Sequence, residues 1–230
     1  MMHRQPISCF VSTIAVSLML LVLMSPSAHA QKIFRLEKDS IPLFRGFQVS
    51  FDMASAAMMA LGSHGEIEGA LRVNLHDQWF PTFEMGIGHA DHHEEETTGL
   101  RFKTTAPYFR LGMDVNCMKN KHLPNRLYAG VRYAFTTFNC DIERKGLEDP
   151  IYKTKTDFGI EGMRCSQHWL ELVFGIDAQI YGPLHLGWTV RYLRRLIHKE
   201  GDIGEAWYVP GYGQNNSDHF NANFNLIIDI

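Results

Sequence analysis

The chain has 230 residues, of which 45% are hydrophobic and 20% charged, and its formal net charge is −3. That is room for one large domain or two small ones, with too much apolar content for a disordered chain. Basic residues do not run together, which argues against a dedicated nucleic-acid binder, and 12% aromatics with 19 glycines suit an all-β protein.

The first thirty residues stand apart. Arg4 supplies a short positive start, Ile7 to Met24 is almost uncharged, and Ser25-Pro26-Ser27-Ala28-His29-Ala30 follows. The Ala28-x-Ala30 pattern predicts a cleaved signal peptide over 1–30, with the mature chain starting at Gln31. The rival reading is a retained membrane anchor, since about 18 apolar residues can span. Cys9 precedes the apolar run, so a lipoprotein signal is not indicated. The expected organisation is then an N-terminal periplasmic tail over 31–45 and a barrel over 46–230.

Period-two alternation recurs along the mature chain. It is read over 47–53, 66–76, 82–89, 109–116, 127–136, 169–180, 184–195 and the C-terminal run from His219 to Ile230. In the last run Phe220, Ala222, Phe224, Leu226, Ile228 and Ile230 share one parity, against Asn221, Asn223, Asn225 and Asp229 on the other. A helix does not place apolar residues on strict alternate positions, and a strand does. Residues 52–61 break the pattern and could form a short helix. The fold class expected is all-β, an antiparallel up-and-down transmembrane β-barrel. Eight strands are expected, with ten open if Thr154–Gly162 joins a further hairpin. No other apolar run reaches helical spanning length, so a membrane location requires a closed barrel.

The connections fall into two kinds. Residues 76–81 and 181–183 are short, and 117–125 is longer and basic. Residues 90–100, 140–165 and 197–216 are long, and 61–65 is short. Short turns at one end and long loops at the other fit an outer-membrane barrel with both termini periplasmic.

Charge on the polar parity separates a membrane barrel from a soluble one. That parity carries Asp52, Glu66, Glu68, Arg72, Glu84, Arg110, Asp114, Arg132, Glu171, Asp177, Arg191 and Arg195. Lysine is almost absent there and concentrates in loops. Arginine forms bidentate buried pairs with carboxylates, whereas lysine prefers water. The expectation is an interior charge network that fills an eight-stranded barrel, which is just wide enough to be packed by side chains. A filled barrel is not a porin.

Residues with chemical potential remain. Cys117, Cys140 and Cys165 stay in the mature chain, an odd number. A disulfide between Cys140 and Cys165 suits an oxidising compartment, and three free or buried thiols is the alternative. His89, Asp91, His92 and His93, followed by Glu94–Glu96, have metal-ligand chemistry, but neighbours on one loop set no coordination geometry. A solvated acidic loop is favoured, and no cofactor is expected. Ser166, His168 and Glu171 supply the residue types of a nucleophile, base and orienting group. Glu84 and Glu171 could be an acid–base pair, although arginines nearby favour salt bridges. Trp207-Tyr208-Val209-Pro210-Gly211-Tyr212-Gly213 is dense in aromatics and turn formers and is read as folding over the barrel rim.

Several segments together carry a resemblance: 70–75 (ALRVNL), 80–86 (FPTFEMG), 110–116 (RLGMDVN), 130–133 (GVRY), 169–175 (WLELVFG), 187–192 (GWTVRY) and 209–213 (VPGYG). On these the chain resembles a family of uncharacterised outer-membrane-type β-barrel proteins of the Bacteroidota, a domain of unknown function. The resemblance implies an envelope location and carries no catalytic residue. Ile230 departs from the terminal aromatic common in such barrels.

The first functional expectation is a monomeric, non-enzymatic outer-membrane barrel acting through its outer loops, in envelope integrity, adhesion or binding an envelope protein. Its other partner is outer-membrane lipid, and no nucleic acid is involved. The second is a lipid-modifying outer-membrane enzyme acting on lipid A or phospholipid acyl chains. The third is a soluble periplasmic ligand-binding barrel.

Overall fold

The computed structural model describes residues 40–92, 100–148, 155–199, 201 and 205–230. The signal segment 1–30, the tail up to residue 39, Cys9 and His93 lie outside the described residues.

Alternation becomes strand wherever it was read. In chain order the elements are β1 (Phe44–Asp52), α1 (Met53–Leu61), β2 (His64–Leu75), β3 (Trp79–His92), β4 (Leu100–Asn116), β5 (Arg126–Glu148), β6 (Lys155–Tyr181), β7 (Leu184–Lys199), β8 (Tyr208–Val209), β9 (Gly213–Gln214) and β10 (Asp218–Asp229). Eight of them close an antiparallel barrel in the order β1-β10-β7-β6-β5-β4-β3-β2, and β8–β9 form a separate two-stranded hairpin. Strand β1 starts at Phe44, so the last two residues assigned to the tail are already wall.

The ring closes in register. Gln48 faces Asp229 and Asp52 faces Asn225 across β1–β10, so every strand has two neighbours at that level and no edge is left open. The amide of Gln48 donates to Asp229 Oδ1 at 2.6 Å, tying first strand to last.

Segment 52–61 is a helix because Asp52 starts it. The Asp52 carboxylate accepts from the backbone N–H groups of Ala54 and Ser55, which have no partner within the helix. The helix composition, MASAAMMAL, is rich in good helix formers.

Two readings are corrected. Residues 140–165 are not a long loop. Strands β5 and β6 run on as one hairpin arm, with Cys140 opposite Met163, Ile142 opposite Ile160 and Leu147 opposite Thr156. The further hairpin at 154–162 is likewise absent, since Lys155–Tyr181 is one continuous strand. The reason is a phase change. Up to Phe135 the apolar side chains of β5 point outward, with Val131 and Tyr133 exposed. Beyond it the apolar side chains turn inward: Phe138 and Cys140 are buried while Thr137 and Asn139 are exposed.

The turn between β2 and β3 sits at the end of the barrel where β1 begins and β10 ends. His76 and Asp77 both have positive φ, 59° and 54°, and Gln78 N–H donates to Leu75 O at 3.2 Å. This is the mirror-image turn that matches the twist of a hairpin. Asp77 holds it: the carboxylate accepts from Asn74 Nδ2 at 2.7 Å, contacts His122 Nδ1 at 2.9 Å and pairs with Arg45 Nε at 3.2 Å. Burial pushes the Asp77 carboxyl up, but the bonds from His122 and Asn74 and the charge of Arg45 outweigh it and hold the group below its ordinary value. A depressed folded-state value means that the stabilisation is complete above the ordinary 3.8 and is lost as pH falls through the lower, folded value. The urea midpoint of the refolded barrel should therefore fall in acid below about pH 3.8. Asp77→Asn should show a lowered midpoint at neutral pH and a shallower acid limb. An unchanged acid limb in the variant counts against this role.

Candidate functional site

The inward face of the ring is charged. Arg72, Arg110, Arg132, Arg191, Glu68, Glu84, Asp114, Glu171 and Asp177 are all buried. They come from β2 to β7, so the network exists only once the barrel closes.

It has two tiers. In the tier nearer the start of β1 and the end of β10 Arg72 is central. Its Nη1 donates to Asp177 Oδ2 at 3.0 Å, its Nη2 donates to Tyr128 Oη at 3.0 Å, and its Nε lies 3.5 Å from Asp114 Oδ2. The Tyr128 ring lies under this guanidinium, 4.6 Å away. In the other tier Glu68 is central. It accepts from Tyr108 Oη at 2.8 Å, from Arg191 Nη2 at 2.8 Å and from Arg110 Nη1. Arg110 Nε also donates to Glu171 Oε1 at 2.7 Å, which accepts from Trp169 Nε1 at 2.7 Å. Arg132 joins the tiers, with Nη2 donating to Asp114 Oδ2 at 3.0 Å and Nη1 2.8 Å from Glu84 Oε1.

Three of the expected members sit elsewhere. Asp52 caps α1 and accepts from the amide of Asn223 rather than pairing with arginine. Glu66 is 4.0 Å from its nearest arginine nitrogen, Arg110 Nη2, and is held by tyrosines instead. Arg195 lies at the rim, where it donates to Asn215 Oδ1 at 2.9 Å and its side chain is 23% exposed. The sequence reading missed Arg126, which donates to Asp229 Oδ2 at 2.9 Å, and Tyr108. Inward glycines carry a signal for such residues. Gly86 faces Tyr108, Gly175 faces Tyr128, Gly112 faces Arg132 and Gly130 faces Asp114 in neighbouring strands. In each case a Cβ on the glycine would run into the facing side chain. A glycine on the charged parity thus marks where a large neighbour crosses the lumen.

The segment Trp207–Gly213 folds into the barrel mouth as a plug. Tyr212 N–H donates to Val209 O at 3.0 Å, closing a turn over Pro210 and Gly211. Gly211 has φ +81°, as the third residue of a type II turn requires. Both of its backbone polar groups are used: N–H donates to Glu66 Oε1 at 3.0 Å, and the carbonyl accepts from Arg110 Nη2 at 2.6 Å. Tyr208 Oη donates to the same Glu66 oxygen at 3.0 Å. The Tyr108 ring occupies the space a Gly211 side chain would need. The plug is bonded into the charge network and does more than cover the rim.

The other candidates do not assemble. Ser166 and His168 sit on the outward parity of β6, while Glu171 is fully buried on the inward one. His168 Nδ1 bonds Tyr133 Oη at 2.8 Å on the barrel exterior, and Glu171 is bonded to Arg110 and Trp169 inside. No triad forms. Glu84 and Glu171 are both salt-bridged to arginine, as structural carboxylates are. Of the metal candidates, His89 bonds Thr105 Oγ1 at 2.7 Å, Asp91 pairs with Arg101 at 3.2 Å, and His92 stacks on Trp207 at 4.7 Å. Among the described residues no group of three His, Cys, Asp or Glu could hold a metal ion.

Cys140 and Cys165 are buried free thiols on the inward faces of β5 and β6, and Cys117 is exposed near the β4–β5 turn. Of the two alternatives the structure has the free thiols rather than the bridge; Cys140 and Cys165 are hydrogen-bonded neighbours. Burial first, then the neighbouring Cys165, push the Cys140 thiol up to about 12. A maleimide at about pH 8 should label Cys117 alone in the folded protein. All three should label after denaturation without reductant; two thiols still blocked would mean that a disulfide forms.

Breaking a buried ion pair from one side leaves a charge without compensation, which costs about 3–5 kcal/mol. Arg110→Met removes the closest cation of Glu171 and one of the two arginines that bond Glu68, and should lower the barrel's unfolding temperature strongly. Arg101→Met, at a half-exposed pair, should shift it little. Equal effects would place the stability outside the interior network.

Neither curated proteins nor solved structures give a match. The family described as a domain of unknown function, DUF6048, matches residues 9–229. That range takes in every strand of the barrel, its charged interior and its plug, and the chain belongs to the DUF6048 family.

Proposed function

We propose that the protein is an outer-membrane barrel, closed to solutes, that works through its outer face and loops. The observation that supports this is an inversion of the side-chain pattern with height. Nearer the short turns the outward side chains are apolar and exposed: Phe83, Met85, Leu111, Met113, Val131, Leu172, Phe174, Trp188 and Val190 all lie in this belt. The inward ones there are the charge network. Nearer the long loops the pattern flips. Inward residues become apolar, including Phe102, Phe138, Met163 and Leu193. Outward ones become polar, including Lys103, Thr137, Arg164 and Arg194.

A soluble barrel has one pattern throughout, apolar in and polar out. Here that pattern holds only in the part that would project into water. Exposed apolar side chains in this belt come from β1 to β7 and β10, whereas a soluble monomer seldom exposes more than a few hundred Å² of apolar surface in one patch. Its height also fits. Outward apolar residues of β5 run from Leu127 to Phe135, nine residues, against the roughly 9–11 that a tilted strand needs to cross the hydrocarbon. Aromatic side chains gather where the pattern flips: Phe109 lies 5.7 Å from Phe135, and Tyr192 lies 5.1 Å from Phe220. Aromatic girdles mark the lipid–water boundary of such barrels. The short turns then face the periplasm and the β5–β6 arm projects outward.

With the lumen filled by ion pairs and plugged at the mouth, transport of solutes is not its work. Binding at the projecting arm, for adhesion, envelope integrity or a protein partner, is the reading favoured over lipid chemistry, because Ser166, His168 and Glu171 are not brought together. Cell fractionation tests the location. The protein should pellet with the outer membrane and migrate faster in a detergent gel before boiling than after. Recovery in the periplasmic extract, with no heat-dependent shift, would overturn it.

A further inference from the structure

The wall of the barrel is not strand over its full height. Strand β1 pairs with β2 up to Phe51–Gly69 and with β10 up to Asp52–Asn225. There the chain leaves the wall's strand path and becomes α1. Above that level His64–Glu68 of β2 have a strand partner only on the β3 side, and Asp218–Phe224 of β10 only on the β7 side. Helix α1 lies against β2 and β10, in the gap between those two edges.

The helix is held at its start and along one flank. Asp52 caps it, and the Asn223 amide bonds both Asp52 and Ser55. The backbone of Met59 occupies the space that a side chain at position 65 would take, so glycine there lets α1 lie close against β2. None of its side chains is fully buried. Met53, Ala57, Met58, Ala60 and Leu61 are exposed and apolar, continuing the outer belt.

Behind α1 is a cavity of about 330 Å³. Met58 and Phe220 line its outer side; His64, Glu66, Tyr208 and His219 line it toward the plug. Polarity therefore changes across the gap, from the apolar belt to hydrogen-bonding groups. None of the described residues lining it is lysine or arginine, and one is an acid. An anionic phosphate finds no counter-charge there. Uncharged hydroxyl or amide groups would find imidazole, phenol and amide partners. The two strand edges add backbone N–H and C=O groups, which apolar surroundings cannot satisfy.

We propose that this gap is a lateral site for a lipid of the surrounding membrane: its chain passes between α1 and β10, and a hydroxyl- or amide-bearing part of its head enters the cavity against the plug. This rests on the outer-membrane reading. Such a lipid would reach the plug sideways, by a route that the filled lumen does not offer.

Photocrosslinking in intact membranes tests it. A benzophenone side chain replaces Asn221, which points inward at the cavity, or Val190, which points outward in the belt, and adducts are identified by mass. Lipid adducts are expected at both positions, within a few-fold of each other. Adducts at 190 with only protein crosslinks at 221 would overturn the lateral site and leave the membrane reading standing. No lipid adduct at 190 would sink both. Ser55→Trp, which fills the cavity, should reduce the adduct at 221 about tenfold and leave that at 190 unchanged. An undiminished adduct at 221 in that variant also counts against the site.

Discussion

Glu68 is where the barrel's parts depend on one another. Its carboxylate accepts from β4, through Tyr108 and Arg110, and from β7, through Arg191. These strands are far apart in sequence, and Arg191 is 123 residues from Glu68. A buried carboxylate on its own is costly, and so is each arginine. The interior is thus acceptable only when the ring is closed and every strand is in register. A one-residue slip would turn a strand's charges outward into the apolar belt and its apolar side chains into the charged lumen. The charge network contributes less as net stability than as a penalty on wrong registers.

The same constraint explains the plug. Carboxylates outnumber arginines on the inward face, so some must be satisfied without a cation. Glu66 receives two tyrosine hydroxyls and a backbone N–H, from Tyr108, Tyr208 and Gly211. Two of those three donors sit on the plug. Arg110, with Glu68 and Glu171 already engaged, gives its remaining edge to the Gly211 carbonyl. The Pro210–Gly211 turn therefore completes the upper tier from above. Asp52 is treated similarly, its charge answered by the N-terminus of α1 and the Asn223 amide. Neutral donors balance the sites that arginine does not reach.

Much of this was legible in the chain because the lower part of the barrel uses one simple rule, apolar out and charged in, over strands long enough to show period two. The strand positions and the inward set follow from it. Legibility failed in three places, each for a physical reason. The β5–β6 arm reads as loop because its phase reverses above Phe135, and a reader following one phase sees the alternation stop. The pairing within the lumen depends on register between strands, which residue type alone does not carry; Glu66 is answered mainly by tyrosines and a backbone N–H, and Arg195 lies out at the rim. The Ser166, His168 and Glu171 grouping shows the opposite error. Types and spacing suggested a site, while parity already puts Glu171 on the face away from the other two. The inward glycines were visible and could have been used, since each leaves room for a facing tyrosine, arginine or aspartate.

The height at which the phase reverses is also the height at which the wall changes. Strand β1 stops at Asp52, and above it α1 takes the place of a strand beside β2 and β10. A helix satisfies its own backbone, whereas a strand needs neighbours on both sides. Substituting one for the other leaves the flanking edges of β2 and β10 without a ladder partner at the level where the side-chain pattern reverses. A continuous eighth strand would have been the simpler closure, and β1 could have supplied it by running a few residues further. The sequence instead places a capping aspartate and a run of alanine and methionine there, beside a glycine that lets the helix lie close. The break in the wall is thus written into the chain by specific residues, and the cavity behind it is lined by Tyr208 of the plug and by Glu66, so the wall is interrupted where the plug is tied to β2.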